Sequence, residues 1–170
     1  MRIRPYIESR DYEALEKWID SSRTHALWCA NLLPCPLTQS GLRHLLEESG
    51  TDREESAYVA TEDDGEAVGF FCYSVNVENN TGFFRFVIVD AGKRGLGYGK
   101  KMMQTALRYA FEITDVEAVR LNVFAENSRA ISCYEQCGFQ VQSVVEKAFA
   151  YGGERWGRYS MMAERQNWQG

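Results

Sequence analysis

No apolar run in the 170-residue chain approaches the ~20 residues that a membrane-spanning helix needs. The opening residues, Met-Arg-Ile-Arg-Pro-Tyr, lack the apolar core of a signal peptide. Together these absences give a cytoplasmic protein with no membrane partner as the expectation. Positive charge is also short: 19 Lys and Arg stand against 24 Asp and Glu, a net charge of −5. The longest basic runs are Lys93-Arg94 and Lys100-Lys101, which excludes the broad cationic footprint of a nucleic-acid partner. An acidic balance mildly favours a cationic amine as substrate.

Metal-ligating residues are equally thin. The five cysteines (Cys29, Cys35, Cys72, Cys133, Cys137) are odd in number, match no zinc spacing and read as free thiols. Cys133 and Cys137 stand four apart on a predicted helix, but no His or Cys pair completes a site, so no metal is expected. His25 and His44 fall on early helices and read as packing or surface residues. There is no internal repeat, low-complexity stretch or linker, and the length suits one domain over residues 1–165 with a short tail over 166–170.

What is present is a glycine loop. Residues 89–103 read V-D-A-G-K-R-G-L-G-Y-G-K-K-M-M: an apolar strand end, a turn, an arginine, three alternating glycines and a helix start. Glycines permit positive φ and close approach of the backbone. A following helix N-terminus offers free N–H groups and a positive dipole end, so the pattern suits a phosphate or diphosphate. Two familiar phosphate motifs fail by position. A Walker loop would need Gly at 94 and Ser or Thr at 101, where Arg and Lys stand. A dinucleotide fingerprint would need glycine at 100 or 102, where Lys and Met stand. What remains is Arg94-Gly95-Leu96-Gly97-Tyr98-Gly99, an R-x-x-G-x-G pattern.

Hydrophobic periodicity predicts a strand at 2–7, a helix over 11–19 with Ser9 as a cap, a short helix over 24–30 and a third over 40–48 capped by Thr38 or Ser40. Strands follow at 57–61, 67–77 and 83–89, with turns at 63–65 and 79–82. The last of these is apolar on both faces apart from Arg85, which places it mid-sheet. A helix with the stripe Met102, Met103, Ala106, Leu107, Ala110 and Phe111 comes next, then a strand at 118–124 and a helix over 127–137. Two strands, 139–148 and 156–162, close the chain. The strand–helix–strand unit through the glycine loop should be parallel and right-handed, with antiparallel pairing before it.

Residues 119–139 read V-R-L-N-V-F-A-E-N-S-R-A-I-S-C-Y-E-Q-C-G-F. Asn127 and Tyr134 are seven apart, close to two helical turns, and share a face. Gly138 stands where a helix C-terminus wants positive φ, and Phe139 where the cap wants an apolar contact. Asn127 suits the N-cap. A phenol stays protonated at neutral pH and can donate a proton to a departing thiolate.

The R-x-x-G-x-G loop, followed some thirty residues later by Asn127, Ala130, Tyr134, Gly138 and Phe139, resembles the GNAT family of N-acetyltransferases. The resemblance implies an α/β (α+β) fold with a mixed, mostly antiparallel sheet of about seven strands and helices on both faces. It implies direct transfer of acetyl from acetyl-CoA to a primary amine in a ternary complex. The diphosphate would lie on Arg94, Gly95, Leu96, Gly97, Tyr98 and Gly99, with a charge-assisted bond from Arg94. Val87, Ile88 and Val89 would flank the pantetheine arm, Asn127 would contact it, and Tyr134 would be the general acid. His25, Trp28 and Asn31 on the early helices, and Arg85 on the strand, are candidates for acceptor contact. The general base stays open: the strand before the loop carries Phe83 and Phe84 where a Glu would stand in some members. Glu78, Glu126, Glu154 or a water relay remain. The acceptor could be a small molecule or a protein N-terminus, and the C-terminal strand edges leave room for a homodimer. A non-catalytic acyl-CoA-binding module and a nucleotide-binding regulator are the competing classes.

Overall fold

A computed structural model describes residues 1–169. The chain runs β1 (Arg2–Pro5), α1 (Glu8–Trp18), α2 (Ser22–Cys29), α3 (Gln39–Arg53), β2 (Ser56–Thr61), β3 (Ala67–Asn76) and β4 (Thr81–Val89). It continues through α4 (Tyr98–Arg108), β5 (Ala118–Phe124), α5 (Ser128–Glu135), β6 (Gln140–Tyr151) and β7 (Glu154–Glu164). The seven strands form one sheet in the order β1-β2-β3-β4-β5-β7-β6. Every neighbouring pair is antiparallel except β4 and β5, which are parallel and joined by α4. The mixed sheet, with β4 fourth of seven, is the architecture the sequence implied.

Two cores lie on opposite faces of the sheet. One packs Met102, Met103, Ala106 and Leu107 of α4 on Phe84, Val119, Leu121 and Met161. The other packs Leu15, Trp18, Trp28 and Leu42 from α1, α2 and α3 on Val59, Phe70, Phe86 and Ile88. Fully buried rings such as Phe70 and Phe84 stabilise the fold by about 1.5–3 kcal/mol each.

Helix α1 starts at Glu8, with Ile7 rather than Ser9 at its N-cap. Ile7 has no side-chain acceptor, so the start is organised from inside: the Ile7 amide donates to Asp11 Oδ2 at 2.8 Å. Arg4 of β1 grips the same carboxylate with two bonds of 2.7 Å. Ser21 caps α2 and Thr38 caps α3 through their side chains, as Ser and Thr do before a helix. Helix α3 runs past its expected end at residue 48 to Arg53 and closes on Glu54 with φ +51°. Helix α4 extends through a wider turn over Tyr109–Ile113. Trp168, beyond the last strand, packs on Phe111 with ring centroids 5.4 Å apart.

Strand β4 is not regular. Its pairing with β3 slips between Phe70 and Cys72, opposite an extra β4 residue, and Phe86 takes φ +50°. A bulge shifts the side-chain phase by one residue. Before it, Phe84 faces the α4 core; after it, Phe86 and Ile88 face the α1–α3 core.

Candidate active site

Strands β4 and β5 pair only from Thr81–Phe84 with Ala118–Leu121. Beyond Phe84 they part, and the second half of β4, Val87 to Val89, borders a gap in the sheet. The bulge at Phe86 is the local cause, because it turns the strand away from the ladder. The Phe86 carbonyl does not go unpaired: Trp28 Nε1 donates to it at 2.7 Å. That bond fixes α2 over the gap.

The glycine loop lies at the C-terminal end of β4. Gly95 has φ +78° and Gly97 φ +86°, and a Cβ at either would touch nothing. Their role is conformational. Gly99 differs: its φ is ordinary, but a Cβ there would stand 3.3 Å from Cys133 Sγ, so it lets α4 approach α5. Gly97 is the N-cap of α4 and makes no side-chain cap bond. The amides of Tyr98, Gly99 and Lys100 begin the helix, where no carbonyl lies four residues back. Among the described residues no protein acceptor is recorded for the Gly95 and Gly97 amides. The result is a concentration of free donors at a positive dipole end, which fits a diphosphate.

Arg94 is not aimed at that pocket. Its Nε donates to the Val89 carbonyl at 3.2 Å, Nη1 to Asp20 at 2.8 Å, and Nη2 to the Trp18 carbonyl. It ties the loop to the end of α1. Lys100 and Lys101 stand in the first turn of α4. Lys93 and Lys101 flank the Tyr98 ring, at 5.2 and 5.7 Å from its centroid, and Lys93 is bonded to Glu66 at 2.8 Å. Leu96 is exposed.

Tyr134 lies on α5 in the α4-side core, which also holds Val87, Val89 and Val123. Its ring packs on Phe139 at 5.9 Å. Burial pushes its phenol well above the ordinary value, with the Cys133 and Cys137 thiols adding to the effect. No protein hydrogen bond is recorded for its hydroxyl among the described residues. Helix α5 is fixed at both ends. Asn127 Oδ1 accepts from the Ala130 amide at 3.3 Å, which leaves its Nδ2 as a spare donor. Gly138 at φ +93° closes the other end with paired bonds, Gly138 N to Glu135 O and Phe139 N to Tyr134 O, both 3.0 Å.

On the opposite face, α2 and the β6–β7 hairpin enclose a cleft of about 250 Å³ against β4 and β5. Trp28 and Arg85, two of the residues named as candidates for acceptor contact, line it. Asn31 does not. It is exposed, at φ +56° just past the end of α2, where Ala30 and Leu32 line the cleft instead. His25 is fully buried, with a ring nitrogen 3.5 Å from Cys29 Sγ, and is a packing residue. The hairpin is held to α2 by Arg23, which lies 4.9 Å over the Trp156 ring and 3.2 Å from Glu154. Ser22 and Tyr151 share a bond of 3.0 Å.

Three participants escape a sequence reading. Glu55 is buried and pairs with Arg85 at 3.2 Å. In sequence it is one more charge after a helix. Asn122 and Arg158 line the cleft from β5 and β7. The only signal for Arg158 is a charge inside a strand. None of Glu78, Glu126 and Glu154 lines the cleft, and no carboxylate does.

The sheet with its gap, the free loop amides and the buried phenol form a recognisable set. A profile of the Acetyltransferase (GNAT) family matches residues 12–139. The chain belongs to this family. Spermidine N(1)-acetyltransferase of Vibrio cholerae is 26% identical over 113 residues, which is 65% of this chain and 65% of that protein. The match thus spans just under two thirds of that relative. The L-amino acid N-acetyltransferase of Escherichia coli K12 is 25% identical over 161 residues, 92% of this GNAT chain and 93% of that protein. The crystal structure of spermidine N-acetyltransferase from Vibrio cholerae in complex with CoA and spermine superposes with a TM-score of 0.82 at 19% identity. It covers 97% of this chain and 95% of that one, a likeness of fold.

Proposed function

We propose that the protein transfers an acetyl group from acetyl-CoA directly to a primary amine, both bound at once. The observation that carries this reading is the parting of β4 and β5, with free loop amides at one end and Tyr134 on one side. Acetyl-CoA supplies the activated thioester. The amides of Gly95, Gly97 and the first turn of α4 hold the diphosphate, with Lys100 and Lys101 adding charge. Arg94 shapes this loop rather than touching the ligand. Val87 to Val89 border the pantetheine arm along the gap, and Asn127 Nδ2 is a donor to it.

The amine nitrogen attacks the thioester carbonyl; the carbon–nitrogen bond forms and the carbon–sulfur bond breaks. The electron pair leaves on sulfur, and Tyr134 gives that sulfur its proton. The ammonium proton passes to water, because the cleft offers no carboxylate. Tyr134 then recovers a proton from solvent. Its raised pKa keeps the acid loaded throughout the neutral range.

Thermal unfolding with CoA tests this reading. A ligand at a hundred times its Kd stabilises by about 2.7 kcal/mol, which shifts Tm by about 5–10 °C in a chain of this size. CoA should produce that shift while ATP and NAD produce none. The absence of a CoA shift overturns the reading, and a shift with ATP or NAD alone selects a nucleotide-binding regulator.

A further inference from the structure

The charge inside the acceptor cleft opposes that of the whole molecule. The chain carries net −5, yet the cleft is lined by Arg85 and Arg158 and by no Asp or Glu. The adjoining groove of about 450 Å³ repeats the pattern with Arg53, Arg85 and Arg120, again without a carboxylate. The strand registers explain how the cations gather. Phe83 pairs with Arg120, and Phe124 with Arg158, so these side chains share the sheet face that α1–α3 leave uncovered beyond β4.

The two cleft arginines are in different states. Arg85 is held in place: Glu55, buried beneath it, takes Nη1 at 3.2 and 3.3 Å, and the guanidinium stacks on Phe86 at 4.4 Å. Its Nε and Nη2 have no recorded partner and are not sealed from solvent. Arg158 makes no ion pair or hydrogen bond among the described residues. A fixed guanidinium and an unpaired one lining the same cleft present forked donors suited to a carboxylate. The same pair repels a ligand that is cationic along its length. The aromatic walls, Trp28 and Phe86 among them, suit a short apolar body.

We propose that the acetyl acceptor is a primary amine that also bears a carboxylate, an amino-acid-type molecule anchored by Arg158 and Arg85. The inference rests on the transferase reading above. It narrows the mild preference for a cationic amine drawn from net charge: local charge at the cleft decides recognition.

The test measures CoA thiol release with matched acceptors: an amino acid, its amide, and spermidine. Converting the acid to the amide lowers the amine pKa, so intrinsic reactivity favours the amide. A preference for the acid must come from the site. The full chain should favour the acid over its amide in kcat/KM by about tenfold or more, and over spermidine likewise. Arg158→Gln removes an exposed side chain with no bonds to the fold. It should raise KM for the acid and bring the acid-to-amide ratio near one. Equal use of acid and amide, a preference for spermidine, or an unchanged ratio in Arg158→Gln overturns the proposal and leaves the transferase reading intact. No thiol release with any amine overturns both.

Discussion

Tyr134 is the residue on which the proposed chemistry turns. It sits in the α4-side core, yet among the described residues no hydrogen bond is recorded for its hydroxyl. Tyr134→Phe keeps the ring packing on Phe139 and removes only the proton. The expected result is a fall in kcat of about a hundredfold, the lower end of what a positioned acid contributes. CoA affinity, read by the same thermal shift, should not change; unchanged turnover would remove Tyr134 from the mechanism. Asp11 plays the opposite part, a charge that is wholly structural. Burial alone would raise its carboxyl pKa, but the bonds from Arg4 and the Ile7 amide carry it below the ordinary value. A carboxylate depressed in the folded state stabilises above its unfolded pKa of about 4, and that contribution is lost as pH falls through the folded value. Asp11→Asn leaves Arg4 without its counter-charge and should cost about 3 kcal/mol at pH 7. Urea melts of the two proteins should draw together as pH falls below about 4.

Among the elements, the glycine loop with α4 is the one whose geometry was most legible beforehand. Glycine is informative because few other residues tolerate φ near +80°, so a run of glycines reports backbone shape directly. Gly97→Ala tests this. The new Cβ would meet nothing, so the cost is conformational alone, about 1–2 kcal/mol. Because the loop's donors are aligned by that conformation, CoA affinity should fall about tenfold, the equivalent of 1.4 kcal/mol. Isothermal titration measures it, and undiminished affinity would show that the loop shape is not what binds. Strand β4 is the contrary case. Its alternating apolar residues read as a regular central strand, and nothing in the side chain of Phe86 announces positive φ. The bulge comes from tertiary demands: Trp28, 58 residues earlier, takes the displaced carbonyl. Helix α3 likewise runs on to Arg53, beyond the expected end at residue 48, and Glu55 just after it pairs with Arg85.

At the scale of the molecule, the order of strands and helices followed from periodicity and turn residues, which are local properties. The division into two cores did not, because the phase change in β4 decides which ring faces which helix layer. The loop and α5, the side proposed for the cofactor, could be read for the same local reason: each is continuous in sequence. The cleft proposed for the acceptor could be read only at Trp28 and Arg85. It is assembled from single residues on α2, β4, β5 and β7, and Arg158 acquires meaning only beside Arg85. Arg94 shows the reverse error, a loop cation whose donors the fold takes for the end of α1.

The bulge at Phe86 also constrains how this chain can change. The residue count of β4 is a fixed quantity rather than a length. Removing one position near Phe86 would restore a single alternation along the strand, leave Ile88 on the face it already occupies, and let the ladder to β5 zip onward into the space it now leaves open. Substitutions in β4 alter side chains, whereas a one-residue insertion or deletion there would change what kind of object the sheet is.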